Sequence, residues 1–253
     1  MCTLPFIKMH GLGNDYIYVD CFSPRTARLI ARMDLPDLAR RVSDRHRGIG
    51  SDGLVLIQPS QVADAKMRIF NADGSEAKMC GNAARCIGKY LYENEQCGAM
   101  MTLETLAGIK QISIHTANEK VAFITVNMGT TIGNPHKVFF VETLEEMDSF
   151  FEHICKDAEY ADLRANTNIE CAYVLDRCTV RMRVHERGSG ETMACGTGAC
   201  ATAVEAMDRG LTDHDVRVLM PGGEVSVHRD KEGNIFMIGT ATEVFRGNYI
   251  LEA

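Results

Sequence analysis

Met182-Arg183-Val184-His185-Glu186-Arg187-Gly188-Ser189-Gly190-Glu191-Thr192-Met193-Ala194-Cys195-Gly196-Thr197-Gly198-Ala199-Cys200 reads as a strand, a glycine-rich loop and the first turns of a helix. A shift of 115 positions carries Met67 onto Met182, Arg68 onto Arg183, Glu76 onto Glu191, Cys80 onto Cys195, Gly81 onto Gly196 and Ala84 onto Ala199. The chain therefore holds two copies of one device, and each brings a Cys-Gly pair to a helix N-terminus.

The first turn of a helix presents unpaired N–H groups and a partial positive charge. A cysteine placed there is expected to ionise below its free pKa of about 8.5. Two such cysteines suggest a base on one side of a substrate and an acid on the other. Packing alone would make Cys80 and Cys195 small core residues, the usual fate of an unpaired thiol. That plainer reading is the one expected for the other eight cysteines.

A chain of 253 residues is one large domain or two of ordinary size, and the repeat favours two. Hydrophobic residues make up 45% and charged residues 24%, an ordinary globular balance without a disorder signature. The net charge of −7 and the absence of a Lys/Arg cluster leave no expected nucleic-acid partner. Met1-Cys2-Thr3-Leu4-Pro5-Phe6-Ile7-Lys8 lacks the pattern of an export signal, and no run approaches about 18 apolar residues. A cytoplasmic protein with no membrane partner is expected. Ten irregularly spaced cysteines then point to a reducing compartment rather than a disulfide framework. No metal site is expected, because Cys-x-x-Cys and His-Glu-x-x-His are both missing.

Residues 4–9 and 16–22 read as strands around His10-Gly11-Leu12-Gly13-Asn14-Asp15. That loop lacks the last glycine of the dinucleotide fingerprint and leads into a strand, so nucleotide binding is not expected. Pro36 opens a short helix, 54–57 and 66–70 are strands, and a helix runs from Cys80 to about Glu93. Residues 101–106, 110–115 and 121–128 form an antiparallel meander. The pattern restarts at Gly133-Asn134-Pro135-His136, where the apolar strand 138–141 echoes the strand after Gly13-Asn14 at a shift of 120. Residues 145–160 are amphipathic, with Met147, Phe150, Phe151 and Ile154 on the core face. Strands at 168–175 and 179–185 lead into the central motif. The helix after Cys195 is small and apolar on nearly every side, so it is expected to be buried, with its N-terminus opening at an interior cleft. Strands at 216–219, 224–227, 235–238 and 243–245 complete the chain. The expected class is α+β: two pseudo-symmetric domains, residues 1–128 and 129–245, each a curved, mostly antiparallel sheet around a central helix. Residues 246–253 are a candidate strand returning to the first domain.

Met9-His10-Gly11-Leu12-Gly13-Asn14-Asp15-Tyr16, Asn71-Ala72-Asp73-Gly74-Ser75-Glu76, Cys80-Gly81-Asn82, Gly133-Asn134-Pro135-His136, Glu186-Arg187-Gly188 and Gly190 through Gly198 together resemble the diaminopimelate epimerase family over nearly the whole length. The resemblance implies a cofactor-independent epimerase that inverts one α-carbon of an amino-acid substrate, with Cys80 and Cys195 as the catalytic pair. It implies that His136 and Glu186 help set thiol protonation. Backbone N–H groups at Gly81, Asn82, Gly196 and Thr197 are suited to hold the carboxylate into which negative charge flows. Asn14, Asn71, Asn134, Asn168 and Arg187 match the family's substrate contacts, although asparagine in a loop is also a common turn former. A homodimer and a cleft that shuts on substrate are implied as well. Ala83, His185 and Asp52-Gly53 depart from the commoner family pattern and bear on substrate specificity.

Two other readings compete. A racemase of another amino acid, such as histidine, would need the same cysteines without the distal grip of Asn71, Asn134, Asn168 and Arg187. A non-catalytic anion-binding or thiol redox protein would use the same helix termini without exchanging an α-proton.

Overall fold

The computed structural model describes residues 2–251. In chain order the first series of elements is β1 (Cys2–Gly11), β2 (Asn14–Asp20), α1 (Pro24–Ile30), α2 (Leu35–Ser43), β3 (Gly53–Gln58), β4 (Ala65–Asn71), β5 (Glu76–Ala77), α3 (Gly81–Glu93), β6 (Met100–Thr105), β7 (Gly108–Ala117) and β8 (Lys120–Gly129). The second is β9 (His136–Val141), α4 (Leu144–Lys156), α5 (Ala161–Asn166), β10 (Asn168–Asp176), β11 (Thr179–Glu186), β12 (Gly190–Thr192), α6 (Gly196–Asp208), β13 (Asp215–Met220), β14 (Gly223–Arg229), β15 (Ile235–Gly239) and β16 (Thr242–Leu251). The α+β class with mostly antiparallel sheet is observed. The chain divides into two compact units. One takes the described residues to Gly11, then Asp15–Val126, and those from Thr240; the other takes Leu12–Asn14 and Asn127–Gly239.

In the first unit the strand order is β16-β1-β2-β3-β4-β6-β7-β8. β2 and β3 run parallel, so the chain must cross over between them, and α1 and α2 fill that crossover. Asp34 caps α2 by accepting from Asp37 N at 2.9 Å, with proline in the first turn. The helix then buries Leu38, Ala39 and Val42 against Leu54, Leu56 and Phe70. Each large aliphatic side chain buried there contributes about 1.5–3 kcal/mol. Val55 and Ile57 alternate to the other face of β3 and are equally buried. α3 packs on β1 and β7, and a Cβ at Gly88 would stand 2.8 Å from Ile112 Cγ2, so the helix lies against the meander at glycine distance.

The second unit has the order β15-β14-β13-β11-β10-β9 and repeats β8-β7-β6-β4-β3-β2 of the first, where β1 and β16 are additional. β9 and β10 run parallel across α4 and α5, as β2 and β3 do across α1 and α2. The register repeats at the same shift: Leu54↔Phe70 becomes Ile169↔His185, and Ile69↔Ala77 becomes Val184↔Thr192. Even the ion pairs recur, Arg68 to Glu76 at 2.7 and 3.1 Å and Arg183 to Glu191 at 2.9 and 3.1 Å. α6 packs on β9, β10, β11, β13, β14 and β15, and its Ala199, Cys200, Ala203 and Ala206 have no exposed surface. Small side chains let strands approach it from nearly every side.

Four details differ from the sequence reading. The amphipathic helix stops at Lys156, not at 160, because Asp157 turns extended and caps the next turn by accepting from Glu159 N at 3.0 Å. The last strand starts at Thr242 and pairs with β1 from Thr242 to Leu251, well ahead of residue 246, because β1 offers an equally long partner. The helix at Pro24 was not foreseen. Cys21, Cys86, Cys171 and Cys200 are core residues as expected, but Cys2 and Cys178 are exposed.

Leu12–Asn14 belongs with the second unit because of Gly222. A Cβ there would lie 2.1 Å from Leu12 O, and Gly222 N donates to Met193 O at 2.7 Å. Leu12 itself sits at φ 59, in the left-handed region that a leucine rarely adopts. Gly222→Ala is expected to cost about 1–3 kcal/mol by overpacking backbone against backbone. A lowered Tm with unchanged circular dichroism is the expected result, and a wild-type Tm would show that the Leu12 loop yields freely.

Candidate active site

Cys80 and Cys195 each occupy the position just before a helix, with φ and ψ of −137° and 120° in one and −123° and 111° in the other. These are extended backbones, the conformation in which a capping side chain turns back toward the first-turn N–H groups. Cys195 does so: Gly198 N donates to its Sγ at 3.4 Å, and Thr197 Oγ1 lies 3.4 Å away.

In the first unit Cys80 is half-buried and opens α3, with Gly81 and Asn82 in the first turn. Asn82 Oδ1 accepts from Arg85 Nη2 at 2.9 Å, and the fully buried Arg85 donates from Nε to Thr240 O at 3.1 Å. This anchors the N-terminus of α3 to the end of the unit's own chain. A Cβ at Gly11 would meet Arg85 Nη2 at 2.9 Å, so the motif glycine makes room for that guanidinium. Asn71 closes β4 and donates from Nδ2 to Ser75 Oγ at 3.0 Å, a turn-forming arrangement. Gly53, one of the departures from the family pattern, could carry no side chain here: a Cβ would lie 2.1 Å from Phe70 O and 2.9 Å from Tyr16 Cε1.

In the second unit the parallel pairing of β9 and β10 sets Asn168 opposite His136. Asn168 donates from its backbone to Pro135 O at 3.1 Å and accepts on Oδ1 from Arg187 N at 2.9 Å. One buried asparagine, through its backbone N–H and its side-chain oxygen, thus ties the residue before β9 to the residue after β11. Arg187 is exposed, and its guanidinium makes no hydrogen bond or ion pair among the described residues. Glu186 Oε1 accepts from Thr192 Oγ1 at 2.6 Å. Asn134 lies exposed in the loop before β9, and Asn14 comes with the Leu12 loop. Gly196 and Thr197 form the first turn of α6, both buried.

Sequence reasoning missed Glu170. Its carboxylate, with no exposed surface, lies 2.7 Å by Oε1 from His136 Nδ1, whose side chain is 4% exposed. The available signal was a carboxylate between the apolar Ile169 and Cys171-Ala172, at the position where the first copy has Val55.

The expectation that the helix start would make Cys195 acidic is overturned. Burial, then the carboxylates of Glu186 and Glu170, push its thiol well above the usual range, and the Thr197 hydroxyl and Gly198 N–H only partly offset this. Desolvation wins because the whole first turn of α6 is buried.

The family model for diaminopimelate epimerase matches residues 6–132 and again 130–244. The chain belongs to the diaminopimelate epimerase family. It is 42% identical to the diaminopimelate epimerase of Methanococcus maripaludis strain C6, over 96% of this chain and 99% of that protein. Against the diaminopimelate epimerase of Bacteroides thetaiotaomicron the figures are 45%, 96% and 97%. Solved structures extend the fold further. A phenazine biosynthesis protein of the PhzF family from Bacillus anthracis superposes with a TM-score of 0.73 at 19% identity, covering 99% and 100% of the two chains. A hydroxyproline epimerase from Agrobacterium vitis does so with 0.67 at 13%, covering 98% and 92%. The protein is an epimerase, and among its described residues no helix is long and apolar enough to cross a membrane.

For this family member the raised Cys195 has a direct consequence. A pKa above the free value leaves less thiolate at pH 8 than a free thiol with a pKa of about 8.5 would hold. Alkylation of the Cys195 peptide by iodoacetamide should therefore lag that of exposed Cys178 and still be rising above about pH 9. A Cys195 rate that levels off below about pH 8 would show that the helix terminus outweighs burial and the two carboxylates.

Proposed function

We propose that the protein interconverts LL- and meso-diaminopimelate by two-base α-proton transfer, in lysine and cell-wall precursor biosynthesis, as a cytoplasmic homodimer without cofactor or metal. The observation that carries this reading is the duplicated strand, turn and helix that sets one cysteine before α3 and one before α6, in a chain that the same family model matches twice.

The chemistry follows from what an α-carbon needs. Its hydrogen is a very weak acid, so the charge left behind must be stabilised as it moves into the carboxylate. Helix starts at Gly81, Asn82, Gly196 and Thr197 offer N–H donors for that purpose. Inversion then needs a proton removed on one face and a different one delivered on the other. Cys80 and Cys195 fill these roles, and the raised Cys195 starts as the thiol that gives its proton. His136 and Glu186 set the protonation of the thiol in their unit. Asn14, Asn71, Asn134, Asn168 and Arg187 hold the substrate, with the uncommitted Arg187 fork on the carboxylate of the second, non-reacting amino-acid group.

Incubation of the purified enzyme with LL- or meso-diaminopimelate in D2O, without pyridoxal phosphate, should interconvert the isomers and place deuterium at the α-carbon. Chelator should leave the rate unchanged. Activity toward a single amino acid but not toward diaminopimelate would overturn the substrate assignment, and loss on chelation restored by zinc would overturn the two-thiol chemistry.

Arg187→Lys replaces a planar fork by a point charge and should lower kcat/KM by roughly ten- to hundred-fold. An unchanged kcat/KM would remove Arg187 from the substrate site.

A further inference from the structure

The two copies of the hairpin match in register, and one buried position breaks the match. Val55 on β3 is fully buried, and its counterpart on β10 is Glu170, also with no exposed surface. A carboxylate in that place costs stability that a valine would not. The frame holds valine at this position in its first copy, so folding alone does not call for Glu170.

The surroundings show what the carboxylate does. Oε1 takes the His136 Nδ1 contact at 2.7 Å, while Oε2 and His136 Nε2 are buried without a hydrogen-bond partner among the described residues. The Cβ that Gly198 lacks would stand 2.6 Å from Glu170 Oε1 and 3.4 Å from Cys195 Sγ. Carboxylate and sulfur therefore flank a single point beside the first turn of α6, and glycine at 198 makes space for both. The titratable groups facing Glu170 are His136 from β9, Glu186 from β11 and Cys195 from the start of α6.

We propose that Glu170 is a positioning residue for proton transfer at Cys195: it accepts the His136 Nδ1 hydrogen and fixes the ring with Nε2 as its proton-exchanging atom. The inference rests on the reading of His136 and Cys195 as parts of the epimerase machinery. The Nδ1 proton stays on the ring. Nε2 takes the Cys195 Sγ proton when that sulfur acts as the base, leaving thiolate and imidazolium, and returns a proton to Sγ when the sulfur is left as thiolate after protonating the α-carbon. The Glu170 charge stabilises the imidazolium in between. Burial, the largest effect, raises the Glu170 carboxyl and the neighbouring Glu186 adds to the rise; the His136 contact opposes both without cancelling them, so His136 is the partner that favours the charged form.

Two variants test this. Glu170→Gln keeps the shape and removes the charge; Glu170→Val installs the residue of the first copy and should fold with a Tm equal to or above wild type. In both, kcat should fall about ten- to hundred-fold with KM little changed. The acidic limb of the kcat/KM profile should move to lower pH, because a ring without its carboxylate protonates less readily. Nitrogen-15 spectra should show the Nδ1–H form of His136 in the wild type and its loss as the dominant tautomer in Glu170→Val. A purely structural Glu170 would instead give a loss of activity that tracks Tm, with the pH limb and the His136 tautomer unmoved, and that result overturns the proposal. The tautomer readout needs no turnover, so it judges Glu170 independently. A Cys195→Ala enzyme that still exchanges the α-proton at the wild-type rate would sink the two-cysteine reading alone.

Discussion

A buried helix N-terminus must find acceptors for its N–H groups, and most of this structure is arranged around that demand. α6 starts among buried residues, and Cys195 Sγ accepts from Gly198 N in place of the usual hydroxyl or carboxylate cap. A thiol is a weak acceptor. The terminus thus keeps capacity for a further acceptor. The run of Gly196, Thr197, Gly198 and Ala199 serves the same end, since larger residues would hold off β10 and its Glu170.

Duplication supplies the frame, and divergence supplies the chemistry. Both copies share parallel crossover, hairpin register and Arg–Glu brace, all of them backbone or surface features that a repeated sequence carries with it. The residues facing the two cysteines were free to differ. The first copy has a deeply buried Tyr18, whose hydroxyl burial pushes far up and which lies near Cys86 and Cys80; the second sets Glu186 and Glu170 near Cys195. Two helix starts of the same geometry therefore carry thiols in different electrostatic surroundings.

Much of the candidate site was legible because its chemistry lies in local motifs. Cys80-Gly81-Asn82 and Cys195-Gly196-Thr197 announce helix starts, and Glu186-Arg187-Gly188 announces a strand end with charge. What was not legible came from contacts distant in sequence. Glu170 is one acidic residue in a strand, and its role depends on His136 lying on the neighbouring parallel strand, 34 positions away. Gly222 reads as half of a turn, yet its closest approach is to Leu12 O, at the other end of the chain. The helix over 145–160 was too long because apolar spacing continues through Tyr160, whereas Asp157 ends the helix through its own backbone and side chain.

By itself the sequence determined the α+β class, the two-fold repeat, the helix at each cysteine and the family, because all of these rest on periodicity, turn chemistry and motif spacing within short stretches. Tertiary structure alone decided that Cys195 resists ionisation, that Glu170 faces His136, that Gly53 has no room for a side chain and that Leu12–Asn14 joins the second unit. The reason is desolvation and close approach: both depend on which residues enclose an atom, and those neighbours come from strands and loops that pattern in one stretch of chain does not reveal.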